Sequence, residues 1–146
     1  MILYLDTSAL VKRYVTEYGS NETIELARRA ETVATSLISR TELAAAIAKA
    51  VRAGLLTAVS GRQAQDIFLS HWPFFMRIPV TEALVSRADT LAWDYALRGY
   101  DAVQLASALT WQESVGRPVT LATFDRELWE AGLQAGIEVW PARLTR

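Results

Sequence analysis

The first ten residues, MILYLDTSAL (1–10), decide the fold. Residues 2–5 are apolar and include β-forming types, which predicts a buried strand, and Asp6 follows that strand directly. A second, largely apolar run, SALVKRYV (8–15), begins two residues later and predicts a short helix. The chain therefore opens as a strand that ends on a carboxylate and passes at once into a helix.

The remainder of the chain repeats this alternation. We predict four more strands, at 33–38, 77–80, 118–124 and 137–140. We predict six more helices, at 20–30, 39–54, 60–75, 81–99, 101–116 and 125–136. Helix 81–99 is expected to end at its glycine. This order indicates a mostly parallel sheet covered on both faces, in which a ligand site lies beyond the carboxyl ends of the strands.

Length and composition limit the class of protein. A chain of 146 residues, 51% of them hydrophobic, suits a single domain over 1–146 with a substantial core. The absence of cysteine excludes disulfides, thiolate metal sites and cysteine nucleophiles, and it fits a cytoplasmic protein. Asp6 interrupts the first apolar run, and no later run reaches the roughly 18 residues of a membrane span, so neither a secretory signal nor membrane contact is expected.

The charge balance argues against binding of nucleic acid by overall charge. The net charge is −1 and the isoelectric point is about 5.8. A domain that holds nucleic acid by bulk electrostatics usually has an isoelectric point above roughly 9. Any bound polyanion must therefore be held locally, by a few Arg and Lys side chains or by metal ions.

Four acids lie in similar places along the predicted elements. Asp6 ends the first strand, and Glu42 lies in the first turn of helix 39–54. Asp101 begins helix 101–116, and Asp125 opens the helix that follows strand 118–124. Because parallel strands end at the same edge of a sheet, all four carboxylates can meet at one rim.

Helix capping is the alternative explanation for each acid taken singly. Ser39 and Glu42 match the S-x-x-E capping box, and Asp101 with Gln104 resembles its Asp/Gln variant. Capping does not explain why all four acids converge, because neighbouring carboxylates repel and raise one another's pKa. A cation between them removes that cost. Oxygen ligands favour Mg²⁺ or Mn²⁺, ions suited to hydrolysis of phosphodiesters.

Four motifs around these acids resemble the PIN-domain ribonucleases, and most closely the VapC-type toxins of bacterial and archaeal toxin–antitoxin pairs. Their order and spacing span nearly the whole chain. The motifs are YLDTSALVKRY (4–14), SRTELAAAI (39–47), RGYDAVQLASAL (98–109) and LATFDREL (121–128).

The resemblance implies a metal-dependent endoribonuclease on a three-layer αβα sandwich. In such an enzyme Asp6 and Asp101 bind one or two Mg²⁺ or Mn²⁺ ions directly, and Glu42 and Asp125 bind them directly or through water. The family also implies homodimerisation and inhibition by a small antitoxin whose tail reaches into the acidic groove. It uses hydroxyls to position metal-bound water or the scissile phosphate, and the matching residues here are Thr7, Ser8 and Thr123.

Basic side chains near the acids are candidates for binding RNA phosphates, with a solvated surface as the alternative. Arg40 and Arg126 are the preferred candidates because each flanks an acidic motif at a helix start. Lys12, Arg13 and Arg98 are further candidates.

Aromatic residues and the single histidine suggest packing. His71 sits beside Trp72 and is expected to pack rather than to act as a general base, because metal-activated water needs no separate base. The segment FLSHWPFFM (68–76) fits either the core or an interface. The remaining tryptophans are expected in the core: Trp93, Trp111, Trp129 and Trp140.

A function of another class stays open, namely a catalytically silent PIN scaffold that binds RNA or protein. The intact acidic quartet counts against it. A phosphatase with Asp6 as nucleophile is set aside because Ser8 occupies the place of the second aspartate in its D-x-D motif. Aspartic proteases share the local DTS sequence, but they are all-β proteins with two such motifs.

Overall fold

The computed structural model describes residues 1–145 as five strands and seven helices. The strands are β1 (Ile2–Leu5), β2 (Thr32–Ser36), β3 (Met76–Ile78), β4 (Val119–Ala122) and β5 (Glu138–Trp140). The helices are α1 (Thr7–Leu10), α2 (Ser20–Arg29), α3 (Ser39–Arg52), α4 (Ala58–His71), α5 (Glu82–Tyr95), α6 (Gly99–Val115) and α7 (Arg126–Ala135). Single 3₁₀ turns extend two of them, at Val11–Arg13 and Trp72–Phe74. Within this part of the chain, no helix is both long and apolar enough to cross a membrane.

All pairs in the sheet are parallel, and the strand order is β3-β2-β1-β4-β5. β1 lies in the middle, with Ile2 paired to Thr32 on one side and to Val119 on the other. The chain first builds the sheet outward through β2 and β3 and then returns to the opposite side of β1. The carboxyl ends of β1 and β4 therefore border the switch point at which ligands bind in such sheets.

Helices cover both faces of the sheet, so the predicted three-layer αβα sandwich is confirmed. Successive side chains of a strand point to opposite faces. Ile2 and Tyr4 pack in a core cluster with α5, α6 and α7. Leu3 and Leu5 pack in a second cluster with α1, α2, α3 and α4. β1 is buried on both faces, as its uninterrupted apolar sequence predicts.

The junction between α5 and α6 differs from the prediction. α5 ends at Tyr95, and Ala96 takes the left-handed conformation with φ 53°, while Gly99 begins α6 instead of ending α5. An alanine accepts this conformation here because Leu97, which follows it, is buried in the core. As a result, Asp101 is the third residue of α6 and not its first.

One predicted core tryptophan is exposed. Trp111 is buried, and Trp129 and Trp140 are half-buried. Trp93, in contrast, is 90% exposed, so its placement in the core was wrong. α5 packs through Leu84, Ala88 and Leu91, and a residue two positions after Leu91 lies about 200° around the helix.

The aromatic segment 68–76 divides between the two predicted roles. Phe68, Trp72 and Phe75 are buried and pack against one another, with ring centroids 5.4–6.1 Å apart. Phe74 is 87% exposed. Phe68, Trp72 and Phe75 therefore belong to the core, and Phe74 is an exposed apolar side chain that can contact a partner.

Candidate active site

Asp6 lies at the switch point, directly after β1 and at the start of α1. Its Oδ1 accepts hydrogen bonds from the Ala9 amide at 3.1 Å and from the Ser8 hydroxyl at 2.7 Å. Its Oδ2 accepts a hydrogen bond from the Thr123 hydroxyl at 2.9 Å. Asp6 therefore caps α1 with one oxygen, as the capping alternative predicts, and contacts the end of β4 with the other.

The Asp6 carboxylate is buried without a basic partner. The residue is 3% exposed, and within residues 1–145 no Lys, Arg or His forms an ion pair with it. Burial raises the pKa of Asp6 from 3.8 to about 7, repulsion from Asp125 adds to this rise, and the three hydrogen bonds oppose it. Burial of an unpaired charge is costly, and a bound cation would offset that cost.

Hydroxyl groups join the ends of β1 and β4. The Ser8 and Thr123 hydroxyl oxygens are 3.3 Å apart. Ser8 Oγ accepts a hydrogen bond from the Phe124 amide at 2.8 Å, and Thr123 Oγ1 accepts one from the Asp125 amide at 3.1 Å. These bonds hold the segment after β4 against the start of α1. The Ser8 and Thr123 hydroxyls thus position the backbone after β4. Their contact with metal-bound water or with the scissile phosphate stays a prediction.

Glu42 is held from two other elements. Its Oε1 accepts hydrogen bonds from the Thr7 hydroxyl and from the Gln104 side-chain amide, both at 2.8 Å. The Ser39–Glu42 capping box, the alternative explanation for this acid, does not form. Ser39 is the first residue of α3 and not its N-cap, and its hydroxyl accepts bonds from Thr35 and Gln104. The sequence showed Gln104 only as a capping variant of Asp101, and its contact with Glu42 was missed.

Asp101 and Asp125 form a group with a third acid, Glu127. One carboxylate oxygen of each lies within 4.8 Å of the others. Asp125 caps α7 by accepting a bond from the Leu128 amide at 3.0 Å. Asp101 is not a cap, since the residue in the N-cap position of α6 is Arg98. Glu127 was not among the predicted residues, although its place in the first turn of α7, two residues after Asp125, could have indicated it.

The Arg98 guanidinium is the cation at this group. It donates from Nε to Asp101 Oδ2 at 3.1 Å and from Nη2 to Asp125 Oδ2 at 3.0 Å. Its Nε lies 4.0 Å from Glu127 Oε2. The side chain is 72% exposed, so its ion pairs are weakened by solvent and it can be displaced at small cost.

Repulsion between predicted acids raises the pKa of two of them. The pKa of Asp101 is raised first by burial, then by Asp125, with a further contribution from Glu42. Asp125 also raises the pKa of Asp6. Asp6 and Asp101 are thus each repelled by at least one other predicted acid, whereas Asp6 and Glu42 lie outside the closely spaced group of Asp101, Asp125 and Glu127. The donor set is made of carboxylate and hydroxyl oxygens, which fits Mg²⁺ or Mn²⁺.

The two preferred phosphate-binding candidates lie in different settings. Arg40 is exposed, and within residues 1–145 it forms no ion pair. Arg126 donates to the Leu144 carbonyl oxygen at 3.0 Å and lies 3.9 Å from Glu130, so it is already engaged with the end of the chain. Neither contacts the acids, in contrast to Arg98.

The other candidates are occupied elsewhere. Lys12 is buried and forms an ion pair with Glu17 at 3.1 Å, and Arg13 lies over the Tyr14 ring. His71 Nδ1 lies within hydrogen-bond distance, 2.9 Å, of the Tyr14 hydroxyl oxygen, and the two rings pack together, in keeping with the predicted packing role.

Two cavities border the acids. The larger, about 590 Å³, is lined by Glu42, Arg98, Tyr100 and Asp101 on one side and by apolar side chains such as Val85 on the other. The second, about 430 Å³, also contains Glu42 and Tyr100. Tyr100 is 63% exposed and lines both. Tyr100 therefore places an aromatic ring beside Glu42 and Asp101.

Comparison with known proteins identifies the family. Residues 3–132 match the family model of the PIN domain. The chain is 35% identical over 144 residues to ribonuclease VapC45 and to ribonuclease VapC49, each from a strain of Mycobacterium tuberculosis. Both alignments cover 98% of this chain and 97% of the relative.

Solved structures show the same fold. The Mycobacterium tuberculosis toxin VapC20, described as cleaving the sarcin–ricin loop, superposes with a TM-score of 0.64 at 18% identity, over 92% of this chain and 95% of that one. VapBC2 from Rickettsia felis, bound to a DNA fragment from its promoter, gives a TM-score of 0.63 at 18% identity, over 95% and 97%. These structures share the fold, and the family-model match together with the 35% identity shows that the chain belongs to the PIN-domain family.

Proposed function

We propose that this protein is a divalent-metal-dependent endoribonuclease that acts as the toxin of a toxin–antitoxin pair. The observation that carries the proposal is Asp6, a buried carboxylate with no basic partner in the described residues, whose pKa Asp125 raises further. The relatives at 35% identity, named ribonucleases, support it. The silent-scaffold alternative is not favoured, because all four acids are present and the relatives at 35% identity are named ribonucleases.

The residues present fit one or two Mg²⁺ or Mn²⁺ ions. Asp6 and Asp101 would bind them directly, and Glu42 and Asp125 directly or through water. When bound, such ions lower the pKa of water and stabilise the negative charge that develops on the phosphate oxygens during in-line displacement. The expected products are a 5′-phosphate and a 3′-hydroxyl.

The remaining site residues would bind and orient the RNA. Ser8 and Thr123 hold Asp6 through both its oxygens. Arg98 would exchange its carboxylate partners for the RNA phosphate, since it is exposed and beside the acids. Tyr100, which lines both cavities, offers a ring on which a base can stack. Thr7 and the exposed Arg40 are further candidates for phosphate contact.

The direct test is cleavage of total cellular RNA by the purified protein with Mg²⁺ or Mn²⁺. We expect discrete fragments that disappear when EDTA is added and when Asp6 is replaced by Asn. Mapping the fragment ends would identify the RNA and the cleaved sequence. If the wild type, the EDTA-treated protein and Asp6→Asn gave the same yield of fragments, the proposed nuclease activity would be contradicted, and the catalytically silent scaffold would be favoured.

We further propose two protein partners, a second copy of this chain and a small antitoxin. The exposed Trp93 and Phe74 provide the apolar surface that such contacts use. Sedimentation of the purified protein is expected to show a particle of twice the 16.2 kDa chain mass. Co-expression with the product of a neighbouring short reading frame should yield a stable complex that no longer cleaves RNA. If the purified protein were a monomer, and if the co-expressed protein did not inhibit RNA cleavage, both proposed partners would be contradicted.

A further inference from the structure

We propose that Gln104 is a positioning residue, which holds one oxygen of Glu42 and leaves the other for the metal site. This inference rests on the proposed function, because it assigns a role within the same centre. Gln104 is 2% exposed and lies in α6, one turn after Asp101.

The contacts of Gln104 converge on Glu42. Its Nε2 donates to Glu42 Oε1 at 2.8 Å, and it also lies 3.1 Å from Ser39 Oγ and 3.3 Å from Thr7 Oγ1. A bond from an amide N–H to a half-buried carboxylate such as that of Glu42 is charge-assisted, and such bonds are stronger than those between neutral groups. The Gln104 amide therefore restrains the side chain of Glu42, which lies in the first turn of α3.

Tyr4 and Glu42 together fix which way the Gln104 amide faces. The fully buried Tyr4 hydroxyl donates to Gln104 Oε1 at 2.6 Å. If the amide were rotated by 180°, its oxygen would lie against the Glu42 carboxylate, and repulsion would oppose that state. A chain of three side chains thus runs from the central strand β1 through α6 to α3.

The two oxygens of Glu42 are consequently different. Oε1 accepts both hydrogen bonds, from Thr7 and from Gln104. Oε2 has no hydrogen-bond partner within residues 1–145, and Glu42 lines both cavities beside the acids. A carboxylate anchored by one oxygen has lost rotational freedom before a ligand arrives. This is how groups behind a metal ligand increase affinity, and their removal typically costs about 10- to 100-fold in metal binding.

α6 couples this restraint to a second acid. Asp101 and Gln104 are three residues apart, so they lie on the same face of the helix. One helix therefore carries a proposed metal ligand and the residue that orients another. The spacing of the two acids therefore depends on the contacts that Gln104 makes with Tyr4 of β1 and Glu42 of α3.

The test is a double-mutant cycle on Mn²⁺ affinity, measured by calorimetry without RNA. Gln104→Met keeps the side-chain length and removes the amide, and we expect it to weaken Mn²⁺ binding about 10-fold. In a Glu42→Gln background, where the carboxylate is already gone, Gln104→Met should have no further effect. Tyr4→Phe, which keeps the amide but removes its restraint, should give a smaller loss.

Gln112→Met is the matched control. Gln112 also lies in α6, and its Oε1 accepts a bond from the Val119 amide at 2.9 Å, so its loss affects stability in the same helix. We expect this variant to bind Mn²⁺ like the wild type. Thermal denaturation of every variant identifies any that fails to fold, and Tyr4→Phe then replaces Gln104→Met in the cycle.

The outcomes separate the inference from the proposed function. Unchanged affinity in folded Gln104→Met, or the same loss in both backgrounds, would overturn the positioning role while a wild type that binds Mn²⁺ and cleaves RNA keeps its function. A wild type that binds no Mn²⁺ would overturn the proposed function, and the inference with it.

Discussion

Replacement of Asp101 by Asn is expected to lower RNA cleavage on the order of 10³-fold while the protein stays folded. Asp101 is a proposed direct metal ligand, its side chain is only 16% exposed, and it sits among like charges. Because it does not cap α6, the substitution removes no helix-capping bond. Asparagine keeps the shape and an oxygen acceptor for Arg98, so the change is chiefly one of charge.

Glu127→Gln is the matched control for Asp101→Asn. Glu127 belongs to the same group of three acids, but its side chain is 63% exposed and it lies outside the predicted quartet. We expect its loss to reduce cleavage less than about 10-fold, as for an exposed charge. Rates measured at saturating Mn²⁺ with a defined RNA decide the comparison. Equal losses of cleavage rate in the two variants would indicate that the metal binds to Asp101, Asp125 and Glu127 instead.

The metal-free protein is expected to lose stability as the pH rises from about 4 to about 7. Burial raises the pKa of Asp6 from 3.8 to about 7 in the folded state, so in this window the folded protein holds a proton that the unfolded chain releases. Stability therefore falls with rising pH, and the rise in the pKa of Asp101 has the same sign. Asp6 alone lowers the unfolding free energy by up to about 4 kcal/mol as the pH rises across this range.

Asp6→Asn should remove most of this pH dependence. The asparagine oxygen can still cap α1, but the side chain no longer titrates, so at pH 8 without metal the variant should be about 2 kcal/mol more stable than the wild type. Added Mn²⁺ should stabilise the wild type and have little effect on the variant. The exposed Asp66→Asn is the control, expected to follow the wild type. An Asp6→Asn profile parallel to the wild type in denaturant titrations between pH 4 and 8 would contradict this account.

The sequence by itself determined the architecture and the region of the site. The alternation of strand and helix patterns is a local property, and parallel strands must end at one edge of the sheet. The apolar run 2–5 identified β1, and the acid directly after it could be placed at the switch point before any contact was known. For the same reason the four acids could be grouped although more than a hundred residues separate Asp6 from Asp125.

Contacts between distant elements depend on the tertiary structure alone. Gln104 meets Glu42 across 62 positions of sequence and Tyr4 across 100, and no local pattern encodes such a pair. The exposure of Trp93 depends on which face of α5 meets α6, and Ala96 ends α5 because Leu97 is anchored in the core. Local patterns determined which elements form and where the acids fall. Packing determined which side chains orient the acids, because hydrogen bonding and burial depend on distance in space and not along the chain.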